Sequence, residues 1–284
     1  MELFYGGPVD GDRRFPRPGL EKNLLRLIAN GAGVKMFGLR RTGKSTLLRL
    51  VAERMAKQGY GLVEVDAEGM RSLDNLLFGV FKALSSNHDK FFDKVLCLVS
   101  SDPALPAAVK AVWELIQKGG GAPSDRNAIA EYWPLLSGHI VRSLKEDKPK
   151  LLLCLDELPF LLQNMIEDNP TSGPRQVDQM LAALREWRNA GLKMALAGSI
   201  GVAGLARKYK FRGDHLNDLS SFDPPELTDL EARVFVQAAV DHASGGKWTG
   251  RHTDAFFKEL DVLYPSFLAK SLLILDHTDP PQPE

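Results

Sequence analysis

The sequence predicts a three-layer α/β fold, a parallel sheet with helices on both faces, followed by a small helical subdomain. Three observations carry this prediction. Apolar strand-like runs alternate with helical patterns up to about residue 200, and beyond that point helical patterns follow alone. One apolar run ends in Gly38 and leads into a glycine-rich basic loop, and another ends in Asp and Glu, which is how the ligand-bearing carboxyl edge of such a sheet reads.

Each element has its own signal. Residues 1–18 are rich in Gly, Pro and Arg and read as an extended lead-in. Leu20, Leu24, Leu25, Leu27 and Ile28 recur at helical spacing until Asn30-Gly31. Val34–Phe37 is a short strand, and Ser45–Lys57 is an amphipathic helix carrying Leu47, Leu48, Val51 and Met55. A second strand follows over 62–67. Residues 72–118 read as helical, broken near 85–87 and at 102–106, and the Gly-rich stretch 119–125 reads as a flexible joint. A helix over about 128–145 leads into a strand at 150–157, then a loop at 169–174, a helix at 177–189 and a fourth strand at 193–198. Helical patterns near 228–242, 252–260 and 265–276 complete the chain, so the expected division is a core over 1–225, with a helical insertion at about 87–127, and a helical lid over 226–284.

Composition removes several classes of function. With 36 Lys and Arg against 36 Asp and Glu in 284 residues, the chain gives no global electrostatic reason to bind nucleic acid or an anionic membrane. Cys97 and Cys154 are too few and too far apart for a disulfide framework or a zinc site, and Cys154, inside LLLCL, reads as a small buried hydrophobe. No apolar run approaches the roughly 20 residues of a membrane span, and the N-terminus has no signal-peptide pattern. A cytoplasmic protein is expected.

The chemistry concentrates in three places. Gly38-Leu39-Arg40-Arg41-Thr42-Gly43-Lys44-Ser45 fits G-x-x-x-x-G-K-[ST] at every fixed position, and Thr46 continues it. Glycines let the backbone wrap a phosphate chain, and loop amides with the N-terminus of the next helix face the anion. Lys44 supplies a point charge for the β- and γ-phosphates, and Ser45 a hydroxyl for Mg²⁺. The competing reading is a glycine-rich turn that caps a helix. Arg40 and Arg41 either add charge at the phosphates or are solvated. Next, LLLCLDE is a buried strand ending in two carboxylates: Asp156 is placed for Mg²⁺, and Glu157 to orient and deprotonate an attacking water, unless the pair is only a solvated acidic turn. An acid that activates water favours hydrolysis over transfer to a small acceptor. Finally, the strand 193–197 ends in Gly198-Ser199, where Ser199 either senses the γ-phosphate or holds the water, or caps the next helix. No guanine-reading N-K-x-D follows, which points to ATP.

On these motifs the sequence resembles the P-loop ATPases of the ASCE division. More narrowly it is similar to the archaeal and bacterial ATPase family within the STAND class, relatives of AAA+ and Orc-type proteins. The resemblance rests on RPGLEKNLLRLI, FGLRRTGKSTLL, LVEVDAEG, LLLCLDELPFLL, MALAGSIGVAGL and LNDLSSFDPPELTDLEARVFVQ, covering about residues 15–242. It implies a sensor strand lying between the P-loop strand and the acidic strand. It also implies an adenine pocket made by the lead-in, here Phe15–Leu20, and by a Gly-x-Pro element of the lid, matched here only by Leu263-Tyr264-Pro265. Pro265 is then either a nucleotide contact or a proline opening a helix. The family's arginine near the γ-phosphate corresponds to Arg212, less well to Arg207; the alternative readings of the cluster Arg207, Lys208, Lys210 and Arg212 with Tyr209 and Phe211 are a solvated basic turn first and a nucleic-acid patch second.

The resulting expectation is a slow, Mg²⁺-dependent ATPase acting as a nucleotide-controlled switch, with ATP and ADP as ligands and a protein partner or effector domain outside this chain. The alternatives are a homo-oligomeric DNA-associated motor, and a scaffold that binds ATP without hydrolysing it.

Overall fold

The computed structural model describes residues 8, 9, 11, 14–87, 89–111, 130–245, 247–276 and 278; the expected joint at 119–125 and the rest of the insertion beyond 111 lie outside them. Five parallel strands form one sheet: β1 (Gly33–Phe37), β2 (Gly61–Asp66), β3 (Leu151–Asp156), β4 (Lys193–Gly198) and β5 (Ser220–Ser221). Their order is β2-β3-β4-β1-β5, so β4 lies between the strand that enters the glycine-rich loop and the strand that ends in two acids. Sequence periodicity does not reveal β5, a two-residue pairing of polar serines with Val34 and Lys35.

The period-two alternation of β3 divides the core. Leu151, Leu153 and Leu155 face one layer and Leu152 and Cys154 the other. The first layer is built from α3 (Leu73–Asn87), α4 (Asp89–Ser101), α5 (Trp133–Asp147), α6 (Leu158–Asp168), α7 (Gly173–Asn189) and α8 (Val202–Tyr209). The second is built from α1 (Pro18–Asn30) and α2 (Lys44–Ala56). Cys154 is buried as expected, and burial pushes its thiol well above the ordinary range. Helix α6 falls where the sequence reading assigns no element; Pro159 occupies its tolerated first turn.

The amino-terminal edge of the sheet holds an ion pair whose arginine is buried and whose carboxylate reaches solvent. Arg188, on α7, donates Nε and Nη2 to the two oxygens of Asp218, each at 2.7 Å, and Nη2 also to the His215 carbonyl. Lys35 donates to the Leu216 carbonyl beside them at 2.8 Å.

The last three helices, α9 (Asp229–Ala243), α10 (Gly250–Lys258) and α11 (Pro265–Ile274), have their own apolar cluster around Phe235, Val236, Val240 and Leu268. Helix α9 opens with a complete capping box between Thr228 and Glu231. The lead-in ties this cluster to the core. Phe15 packs edge-on against Phe235, Arg17 donates to the Pro225 and Glu226 carbonyls, Arg14 pairs with Glu53 of α2, and the Val9 amide donates to Thr46 Oγ1. No described helix is long and apolar enough to cross a membrane.

Candidate active site

The turn between β1 and α2 lies at the carboxyl edge of the sheet, anchored by the Gly38 amide on the Gly198 carbonyl at 3.1 Å. Gly43 takes φ 94°, a conformation that glycine adopts without strain, and it opens α2 with no side-chain cap. The first amides of α2 are thus left for another acceptor, which suits an anion. Lys44 is 6% exposed. Its ammonium lies inside the turn, donating to the Leu39 carbonyl and lying 3.4 Å from Thr42 Oγ1. Burial lowers its pKa, while the charges of Glu157 and Asp156 pull it back up.

The acidic strand meets this turn directly. The Asp156 carboxylate accepts the Glu157 amide at 3.0 Å, and the Ser45 hydroxyl lies close enough to it to favour its ionised form. Burial raises the Asp156 pKa, with Glu157 and Asp66 pushing the same way against Ser45 and that amide. Asp66 is the register partner of Asp156 on β2.

Glu157 occupies the left-handed region at φ 52°, uncommon for a residue with a β-carbon, and its side chain explains how it is held. Its Oε2 accepts both the Ser199 amide, at 2.9 Å, and the Ser199 hydroxyl, at 3.0 Å. A β-carbon on Gly198 would lie 2.2 Å from Pro159 Cδ, so only glycine lets β4 approach the acidic turn this closely. Ser199 therefore contacts Glu157; the N-cap of α8 is Gly201. Arg40 Nε donates to Ser199 Oγ at 3.2 Å, and its guanidinium lies over Phe160, 5.2 Å from the ring centroid.

The remaining expected positions fall around this centre or away from it. Arg41, at φ 65°, accepts the Ser266 hydroxyl on its carbonyl, so the start of α11 touches the loop. Pro265 is in the first turn of α11, the helix-opening role, beside that contact. Thr46 binds the lead-in. Arg212 is spent elsewhere, donating to Asp214 at 2.8 Å with its amide on Asp178 at 2.6 Å. In the basic cluster Phe211 is buried, and Tyr209 donates to Glu167, which leaves no alternation of free aromatics for stacking bases. Sequence reasoning missed the bond between Ser199 and Glu157, and Asp223, close enough to raise the Lys44 pKa; neither belongs to a local pattern.

No protein-family model and no curated protein matches this chain. Among solved structures the chain is similar to a Walker-type ATPase of Pyrococcus abyssi, at 15% identity and TM-score 0.53, over 95% of this chain and 69% of that one. It is also similar to the ORC2 protein of Aeropyrum pernix, solved as ADPNP–ADP complexes, at 15% identity and TM-score 0.50, over 99% of this chain and 68% of that one. With the strand order above, these likenesses show that the chain shares the fold of these two proteins.

Proposed function

We propose that the chain binds ATP with Mg²⁺, hydrolyses it slowly, and works as a nucleotide-controlled switch. The observation that carries this reading is the Ser45 hydroxyl beside Asp156, with the Lys44 ammonium under the influence of both acids. Two segments more than a hundred residues apart in sequence bring a cation, a hydroxyl and two carboxylates to one sheet edge, the set that phosphoryl transfer to water requires.

The loop amides and Lys44 hold the phosphates. Arg40 and Arg41 stand at the rim of the same turn. Among the described residues no group of three or more His, Cys, Asp or Glu could hold a metal alone. Mg²⁺ needs none, since it keeps waters and takes phosphate oxygens beside one or two protein oxygens. Ser45 and Asp156 are a fitting hard-oxygen pair, and the ion's contribution is to neutralise phosphate charge. Glu157 orients the attacking water and takes its proton.

The division into a core over 1–225 and a lid over 226–284 belongs to the same proposal. Arg17 on Pro225 and Glu226, and Ser266 on Arg41, are the contacts through which nucleotide occupancy would reach the lid. A switch shifts only as far as its two states differ in affinity, so the lid must close more tightly with ATP than with ADP.

Single-turnover phosphate release tests the chemistry. Glu157→Gln is expected to bind ATP as the wild type does and to release phosphate about a hundred- to ten-thousand-fold more slowly. Release at the wild-type rate would remove Glu157 as the base. Binding without any release from the wild type would leave a scaffold rather than an enzyme.

A further inference from the structure

We propose that Arg40 is a positioning residue that acts through Ser199 to fix the Glu157 carboxylate. The proposal rests on reading this site as an ATPase and adds a task for an arginine that the loop pattern leaves unspecified.

The direction of the contacts is set by chemistry. A serine hydroxyl has one proton and two lone pairs. Ser199 donates that proton to Glu157 Oε2, so the Nε–H of Arg40 must fall on a hydroxyl lone pair. The result is a one-way chain from a guanidinium, through a hydroxyl, to a carboxylate. A cation at its head polarises the hydroxyl and strengthens its bond to the acid, as charged partners do along connected hydrogen bonds.

The chain is also anchored at both ends. Arg40 is exposed, and a free arginine would sample many rotamers. Here its guanidinium rests on Phe160, whose amide donates to the Glu157 carbonyl at 3.0 Å. One side chain of the glycine-rich loop thus grips the acidic turn twice, once by stacking and once through Ser199. The Ser199 amide adds a second donor to the same carboxylate oxygen. An acid held through Oε2 keeps Oε1 for a water, and its uncommon backbone conformation is fixed from the side-chain end. Arg40 also bears on Lys44 electrostatically, so the residue that steadies the base belongs to the same loop as the phosphate-binding lysine.

The test compares Arg40→Gln, Ser199→Ala, Ser199→Thr and the Arg40→Gln/Ser199→Ala double variant, each measured for kcat, KM and amide exchange without nucleotide. Arg40→Gln is expected to lower kcat about tenfold and Ser199→Ala about a hundredfold, with KM unchanged. The double variant should be no slower than Ser199→Ala alone, because Arg40 acts through the hydroxyl, and Ser199→Thr should restore most of the rate. In the nucleotide-free protein Arg40→Gln should speed exchange of the Ser199 amide and leave the Gly38 amide unchanged. A raised KM with unchanged kcat would make Arg40 a phosphate ligand instead and overturn the proposal, as would single effects that multiply in the double variant. If the wild type releases no phosphate, the ATPase reading fails by itself. Amide exchange then decides the relay: faster Ser199 exchange supports it, and unchanged exchange rejects it.

Discussion

Charge is kept near the core at both ends of the sheet, and the two clusters are built oppositely. At the amino-terminal edge Arg188 forms a two-pronged pair with Asp218 and donates to a carbonyl as well, while Lys35 donates to another and feels the Asp218 charge. At the carboxyl-terminal edge Lys44 has two carboxylates in range but donates to the Leu39 carbonyl, and the charges of Glu157 and Asp66 press on Asp156. The two carboxyls respond accordingly. Burial pushes Asp218 up, but its bonds to Arg188 hold it below the ordinary carboxylate range, whereas burial carries Asp156 above that range. The first cluster satisfies itself and stabilises the fold. The second retains unmet electrostatic demand, which is the condition of a site that waits for an anion and a cation together. Helix ends follow the same division, since α9 is fully capped by its own side chains and α2 is not.

Breaking the first cluster should therefore be costly. Arg188→Ala removes a buried guanidinium with its charged hydrogen bonds and is expected to destabilise the protein by about 2–3 kcal/mol, read from urea unfolding midpoints. A loss within a few tenths of a kilocalorie would show the pair to be dispensable. The opposite outcome is expected at the site. Asp156→Asn removes a charge whose burial is only partly compensated, so it should raise the melting temperature of the nucleotide-free protein at neutral pH while abolishing Mg²⁺-dependent turnover. The pH dependence gives the sign. Because the folded-state pKa of Asp156 lies above its unfolded value, its ionised form costs stability above that pKa, and the cost disappears as pH falls through it. The advantage of Asn over Asp should thus shrink on acidification. Asp218 behaves the other way. Its folded pKa is depressed, so its contribution is present above the ordinary carboxylate range and is lost as pH falls through the folded value. Melting curves of both variants across that acid range separate the two, and parallel pH profiles would remove the contrast. The smallest effect concerns the helix ends: Thr228→Ala breaks the box on α9 and should cost about 1 kcal/mol, measured by the same denaturant series.

Much of this was legible in the sequence, and the boundary of legibility has a physical cause. The glycine-rich turn and the Asp156-Glu157 pair declare themselves because their chemistry fixes residue types at fixed spacing along one stretch of chain. The alternating strands and the three last helices are legible because burial imposes a period. Strand β5 is not, since two serines held by β1 carry no apolar pattern. Arg212 reads as a candidate by its place after β4, and only the fold shows it paired with Asp214. Ser199 reads as a candidate from its position at a strand end, but its partner has no sequence signal, because the contact with Glu157 depends on the close approach that Gly198 permits to Pro159.

The central claim is that the turn at 38–45 exists to hold a triphosphate opposite two carboxylates. Isothermal titration of Mg²⁺-ATP into the wild type and into Lys44→Ala tests it most directly. The wild type should bind with one site per chain, and Lys44→Ala should weaken binding by at least about a hundredfold, the expected cost of removing a charged contact to phosphate. Equal affinity in the two proteins would contradict the assignment of the loop.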